Sequence, residues 1–265
     1  MLLATNVGNK HICFAIFECD AAEPVSKFKI ATDVLKTSDE YAVTLAQLLG
    51  FSGIDAKAVS GAIIASVVPQ LTEVIRQVVY KLTGKAPVLV GPGVKTGFAI
   101  KIDDPAELGA DIVANSAEVA ARLKAEGRDR SAIILGLGSV TTLFAINKNR
   151  EVIGGAILPG VGMSLDVLHK ETAQLPNVSM SGSARAIGKN TKESLMSGVF
   201  FGQAAMIDGL VDRFEHEMKA KSGEVALFAT GEHCEIILGN LRHSFEYDPA
   251  LTLKGLARIY KNTVG

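Results

Sequence analysis

The sequence reads alike at two places about 130 residues apart, and this self-similarity restricts the fold more than any other feature. Residues 2–17, "LLATNVGNKHICFAIF", are an apolar run, a Gly-Asn turn and a second apolar run. From Ala132, "AIILGLGSVTTLFAINKNREVIGGAIL" repeats the order of apolar strand, glycine turn and apolar strand, followed by a polar tip and a third strand. The first copy also continues into a third strand, because residues 25–30 alternate polar and apolar with a period of two. Two domains of one plan, 1–125 and 126–265, with a cleft between them, are expected.

The stretches around these repeats alternate strand and helix. Tyr41, Leu45, Leu48 and Leu49 share one face of a helix over 38–49 that Ser38 or Asp39 would cap. "AVSGAIIASVVP" reads as a buried strand stopped by Pro69, "QLTEVIRQVVYKLTG" as an amphipathic helix closed by Gly84, and "APVLVGPG" as a further strand. From Pro105 a helical stretch is broken at Gly109 and stopped at Gly127. In the second half, helices are expected at 164–172, 191–220, 235–240 and 253–261, with "EVALFATG" as a strand. Such alternation predicts an α/β fold with a largely parallel sheet.

Composition removes several classes of function. The 265 residues, 48% hydrophobic and 21% charged, suffice for two domains of moderate size. A net charge of −1 with interspersed signs offers no basic stripe for nucleic acid or an anionic membrane. The N-terminus lacks a signal-peptide pattern and no apolar run approaches about 20 residues, so a cytoplasmic location is expected. Three cysteines without C-x-x-C spacing and five scattered histidines indicate neither a disulfide framework nor a zinc site, and no metal ligand is assigned.

The chemistry is expected at the two turns. Gly8-Asn9 and Gly138-Ser139, the latter followed by Thr141 and Thr142, present unpaired backbone N–H groups to an anion, and their small residues admit phosphate. One such turn is usually only a chain reversal, whereas two in duplicated positions point to a nucleotide. Neither G-x-x-x-x-G-K-[ST] nor G-x-G-x-x-G explains them.

"GNK", "ASVVP", "GPGVKTG", "DDPAELGAD", "GSVTT", "GGAILPGVGMSLDVL", "TAQLP", "IGKNTKESLMSGVFFG" and "DPALTLKGLARIY" resemble the motifs of type III pantothenate kinases, in the same order over the whole chain. The resemblance implies an α/β fold of two duplicated actin-like, sugar-kinase-like (ribonuclease H-like) domains, a homodimer, and ATP-dependent phosphorylation of pantothenate, the first step of coenzyme A synthesis. It places ATP phosphates on Asn6, Gly8, Asn9 and Lys10 in the first turn and on Gly138, Ser139, Thr141 and Thr142 in the second. It makes Asp111 of "GADI" the general base, which accepts the hydroxyl proton as the alcohol attacks the γ-phosphate. Gly109, Ala110 and Ile112 then lie beside the substrate, and Thr191 of "KNT" reaches pantothenate across the dimer interface. Without the resemblance, Asp111 reads as a helix interruption or cap and Thr191 as an N-cap.

Departures from the family pattern stand beside these matches. Asn6 and Gly136 occupy positions of aspartates, Lys10 that of a threonine, Ile102 that of a tyrosine, Ile112 that of an arginine and Glu232 that of a glycine. The Mg²⁺ and monovalent cation implied by the family therefore lose carboxylate ligands, and Lys10 offers a charge in their place. Ile102 and Ile112 remove two donors to a carboxylate substrate, each worth roughly 1.5–3 kcal/mol when charge-assisted. Two readings follow. In one the chain is a pantothenate kinase with unusual metal requirements. In the other it is a catalytically degenerate paralogue, slow or inactive alone, that acts as a regulatory or structural subunit and completes active sites in a heteromer with a second kinase-like chain.

Overall fold

The computed structural model describes residues 1–19, 21–127, 129–179, 185–221 and 223–265. They form two compact units, one of Met1–Ala99, Asp103–Ala125 and Ala250–Gly265, the other of Ile100–Ile102 and Glu126–Pro249.

In the first unit, β1 (Leu2–Val7), β2 (His11–Phe17), β3 (Ser26–Ala31), β4 (Gly61–Ser66) and β5 (Val88–Leu89) form a sheet of order β3-β2-β1-β4-β5. The first three strands run antiparallel in sequence, and β4 lies parallel to both β1 and β5. With β1 ending at Val7 and β2 starting at His11, residues 8–10 form the tip between them. Helix α1 (Ser38–Phe51) begins at a reciprocal capping box between Thr37 and Glu40, so the cap is Thr37 and not the expected Ser38 or Asp39. Helix α2 (Pro69–Thr83) starts on proline and ends at Gly84 in the left-handed conformation, the asymmetry that fixed φ and a missing Cβ favour. Leu3, Val7, Ile12 and Phe14 pack with Tyr41, Leu45, Leu71 and Ile75, so α1 and α2 cover one face of the sheet. Helix α3 (Ala110–Ala125) is buried continuously from Ile112 to Ala120, which requires cover on every side.

The second unit repeats this sheet strand for strand. β6 (Ala99–Ile100), β7 (Ala132–Leu137), β8 (Val140–Ile146), β9 (Glu151–Pro159), β10 (Ala226–Thr230) and β11 (Glu246–Tyr247) are ordered β11-β10-β7-β8-β9-β6. β7 to β11 thus take the places of β1 to β5, with the same antiparallel and parallel senses, and β6 is added at the β9 edge. Helices α4 (Val161–Lys170) and α5 (Thr191–Glu217) pack Val161, Leu165, Phe200 and Ile207 against Ile133, Leu135 and Leu137 of β7. The short α6 (Cys234–Ile237) completes that layer. The 27 residues of α5 are long and apolar enough to cross a membrane by length and composition. Gln203, Asp208 and Glu215 are nevertheless buried along it together with the apolar positions, as in a core helix.

The C-terminal helix α7 (Leu251–Val264) belongs to the first unit, which corrects the assignment of all of 126–265 to the second domain. The cause is the burial of α3, whose surface needs a second helix beside the sheet. At Gly255 a Cβ would overlap the Ala114 carbonyl, so only glycine permits this approach. Arg258 Nε donates to Glu118 Oε2 at 2.8 Å and Thr252 Oγ1 to Asn115 Oδ1 at 2.7 Å, which satisfies polar groups that α3 buries.

Candidate active site

In the tip between β1 and β2 the Gly8 and Lys10 carbonyls are occupied, while the amides of Asn9 and Lys10 are not. Gly8 N donates to His11 O at 3.0 Å and closes the reversal. Thr32, just beyond β3, donates from Oγ1 to Gly8 O at 2.6 Å and from its backbone N–H to Lys10 O at 2.9 Å. The N–H groups of Asn9 and Lys10 make no hydrogen bond among the described residues. Unused amides at a small-residue tip form an anion-binding concavity. The tip therefore brings together Gly8, Asn9 and Lys10, with Lys10 exposed. Asn6 sits at its base, half-buried, and its Oδ1 is enclosed without a partner. No sequence signal marked Thr32, which lies at the end of an unremarkable strand.

The second turn is tighter and is gripped from two sides. Gly138 N donates to Val140 O at 3.1 Å, and Ser139 N–H has no acceptor among the described residues. A Cβ on Gly160 would overlap the backbone of Gly138 and Ser139, and one on Gly231 would overlap that of Leu137. Gly231 has φ 115°, and two residues on His233 N donates to Leu137 O at 3.4 Å. Gly138 and Ser139 thus lie between two close backbone approaches. The two threonines after the turn separate. Thr142 lies across from Gly136, where a Cβ would stand 2.6 Å from its hydroxyl. Thr141 faces the helices, fully buried, and donates to Gln203 Oε1 at 3.3 Å, while Gln203 Nε2 donates to Pro159 O at 2.7 Å. The structure thus gives Thr141 a place in the packing that supports the turn. Gly160, Gln203 and Gly231 were not singled out by sequence, since their role depends on which strands meet.

Asp111 lies in the first turn of α3, in the first unit. Its Oδ1 accepts the Ile112 N–H at 2.9 Å, and a Cβ on Gly109 would stand 2.7 Å from that oxygen, so the small residue before the helix makes room for the carboxylate. Burial pushes the carboxyl above the usual carboxylate range, and backbone hydrogen bonds from Ile112 and from its own N–H oppose the rise. Ala110 is half-buried, whereas Ile112 is only 9% exposed and points into packing. Asn6 faces away from the α1/α2 core that holds Leu3 and Val7, toward the face of the sheet that α3 and α7 contact. Asn6 and Asp111 therefore share one side of the first sheet.

Thr191, in the second unit, is exposed at the start of α5 after the N-cap Asn190, whose Oδ1 accepts Glu193 N–H at 2.9 Å. It borders a cavity of about 420 Å³ within the second unit, walled by Leu168, Leu175, Val199 and Met206 and floored in part by Gln203.

Two sheets that share one five-strand order, each with a glycine turn at the first hairpin, define a duplicated α/β fold of the actin-like and sugar-kinase-like kind. The chain superposes with a TM-score of 0.55 on a Sinorhizobium meliloti protein provisionally described as a 2-dehydro-3-deoxygalactonokinase, at 12% identity over 98% of both chains. Residues 2–213 match the type III pantothenate kinase family, and the chain belongs to that family. It is 38% identical to the type III pantothenate kinase of Moorella thermoacetica over 98% of this chain and 99% of the relative. The Streptomyces griseus enzyme is 37% identical over 100% of this chain and 99% of its own. Membership makes the chain a phosphotransferase, and nothing in these relatives supports the regulatory-subunit reading of its departures.

Proposed function

We propose that the chain transfers the γ-phosphoryl group of ATP to the hydroxyl of pantothenate, forming 4'-phosphopantothenate in coenzyme A synthesis, and that it works as a cytoplasmic homodimer. The observation that carries this reading is Asp111, a carboxylate fixed through one oxygen by the Ile112 N–H and strengthened as a base by burial. Its other oxygen accepts the hydroxyl proton. The new O–P bond forms as the bond from the γ-phosphorus to the bridging oxygen breaks, and ADP departs. Such transfer depends chiefly on position and on neutralising phosphate charge, which the free amides of Asn9, Lys10 and Ser139 supply.

Ile112 contributes no charge to the substrate carboxylate, so pantothenate is held more weakly than an arginine there would hold it. A dimer accounts for the cavity beside Thr191 and for apolar groups left in water on α4 and α5, namely Met163 at 38%, Val167 at 50% and Met206 at 41% exposure. The test is incubation of the purified chain with ATP and pantothenate, with mass spectrometry of the products. Phosphorylated pantothenate is expected. Hydrolysis of ATP without it, or no reaction, would overturn the assignment.

A further inference from the structure

The Mg²⁺ that family membership implies finds no carboxylate on either turn, residues 6–10 or 136–142. Asn6 is neutral, and its acceptor oxygen is enclosed within the protein, which leaves the Nδ2 donor as the accessible end of the amide. Asp33, one residue after Thr32, turns its Oδ1 into its own loop to accept Leu35 N–H at 3.0 Å. At the second turn Gly136 has no side chain, and the Thr142 hydroxyl would stand 2.6 Å from a Cβ there. Among the described residues no group of three or more His, Cys, Asp or Glu is placed to hold a metal.

The same positions are well suited to an anion. The accessible donors around the first tip are the N–H groups of Asn9 and Lys10, the Asn6 amide and the exposed Lys10 ammonium, and no carboxylate lies among residues 6–10. Thr32 fixes the Lys10 carbonyl, so the lysine stem leaves the tip from a held backbone. An ammonium compensates phosphate charge as a point donor. A carboxylate at position 6 would instead repel a bare phosphate and require a cation between them. Asparagine removes that repulsion.

We propose that the first turn holds nucleotide phosphate by direct donation from its amides and from Lys10, with no divalent cation bound by its side chains. This rests on the ATP reading above. The test is the dissociation constant of ATP, measured by calorimetry with EDTA and with Mg²⁺, for the wild type, Lys10→Thr and Asn6→Asp. The wild-type constants should agree within about threefold, and Lys10→Thr should weaken binding about 10- to 100-fold in both buffers, the loss of one charge-assisted contact. Asn6→Asp should weaken binding in EDTA and recover in Mg²⁺. Lys10 lies on the exposed tip, so its replacement leaves the packing intact. Wild-type binding that appears only with Mg²⁺, or an unchanged Lys10→Thr variant, would overturn this proposal and leave the ATP reading standing. No ATP binding in either buffer would overturn both.

Discussion

The two glycine turns occupy equivalent places in equivalent sheets, yet they are held in different ways. The first is an open tip whose shape depends on hydrogen bonds from one side chain and one amide of Thr32. The second is one residue shorter and is set by backbone contacts from Gly160 and Gly231. Duplication has therefore preserved strand order, which the hydrophobic core of each unit enforces, while the chemistry of each tip has diverged. The charge is carried by the first. The rigidity is carried by the second, and Thr141 and Gln203 brace it from the core side.

Substitutions that add one methyl group should separate the two turns most strongly. Gly231→Ala meets the backbone of Leu137 at φ 115°, with no flexible side chain to give way. Overpacking and positive-φ strain together predict a loss of about 2–5 kcal/mol. Gly160→Ala adds the overpacking alone, about 1–3 kcal/mol. Gly8→Ala meets a single carbonyl, His11 O at 3.1 Å, and should cost less than either. Denaturant melts measure the three, and equal losses would erase the distinction between a gripped turn and a braced one.

A smaller effect is expected at Thr32. Thr32→Val removes the Oγ1 bond to Gly8 O and keeps the backbone bond to Lys10, which predicts about 1 kcal/mol of lost stability and weaker ATP binding. Unchanged affinity would show that the tip needs no brace.

The smallest effect concerns the pH dependence of stability at Asp111. Burial raises the native pKa above the unfolded value, so the contribution of this group is fully present below the unfolded pKa and is lost as pH rises through the native one. Asp111→Asn should therefore be as stable as the wild type or slightly more so at neutral pH, with the difference closing in acid. A variant less stable at neutral pH would contradict burial as the dominant cause.

Much of this was legible in the sequence because it is local. Apolar runs and glycine turns identified both hairpins, and Pro69 and Gly84 bounded α2. The two-residue strands β6 and β11 carry too short a pattern to be read. The place of α7 was hidden for another reason: its packing on α3 joins residues about 140 apart, such as Arg258 and Glu118, and depends on the smallness of Gly255. At the candidate site, Asp111, Asn6, Lys10, Gly138 and Ser139 were proposed through motif resemblance. Thr32, Gly160 and Gly231 were not, because supporting a turn from a neighbouring segment leaves no local pattern. Thr141, a strand residue next to the turn, points to the opposite face from Thr142 and bonds to Gln203, a partner that proximity in sequence does not reveal.

In the proposed division of labour the turns hold ATP and Asp111 takes the proton. Measuring kcat for phosphorylation of pantothenate together with the ATP dissociation constant, for the wild type and Asp111→Asn, tests it directly. A fall in kcat of about 10²–10⁴-fold, the range for general-base assistance, is expected with ATP affinity unchanged. An unchanged kcat, or a loss confined to ATP affinity, would contradict it.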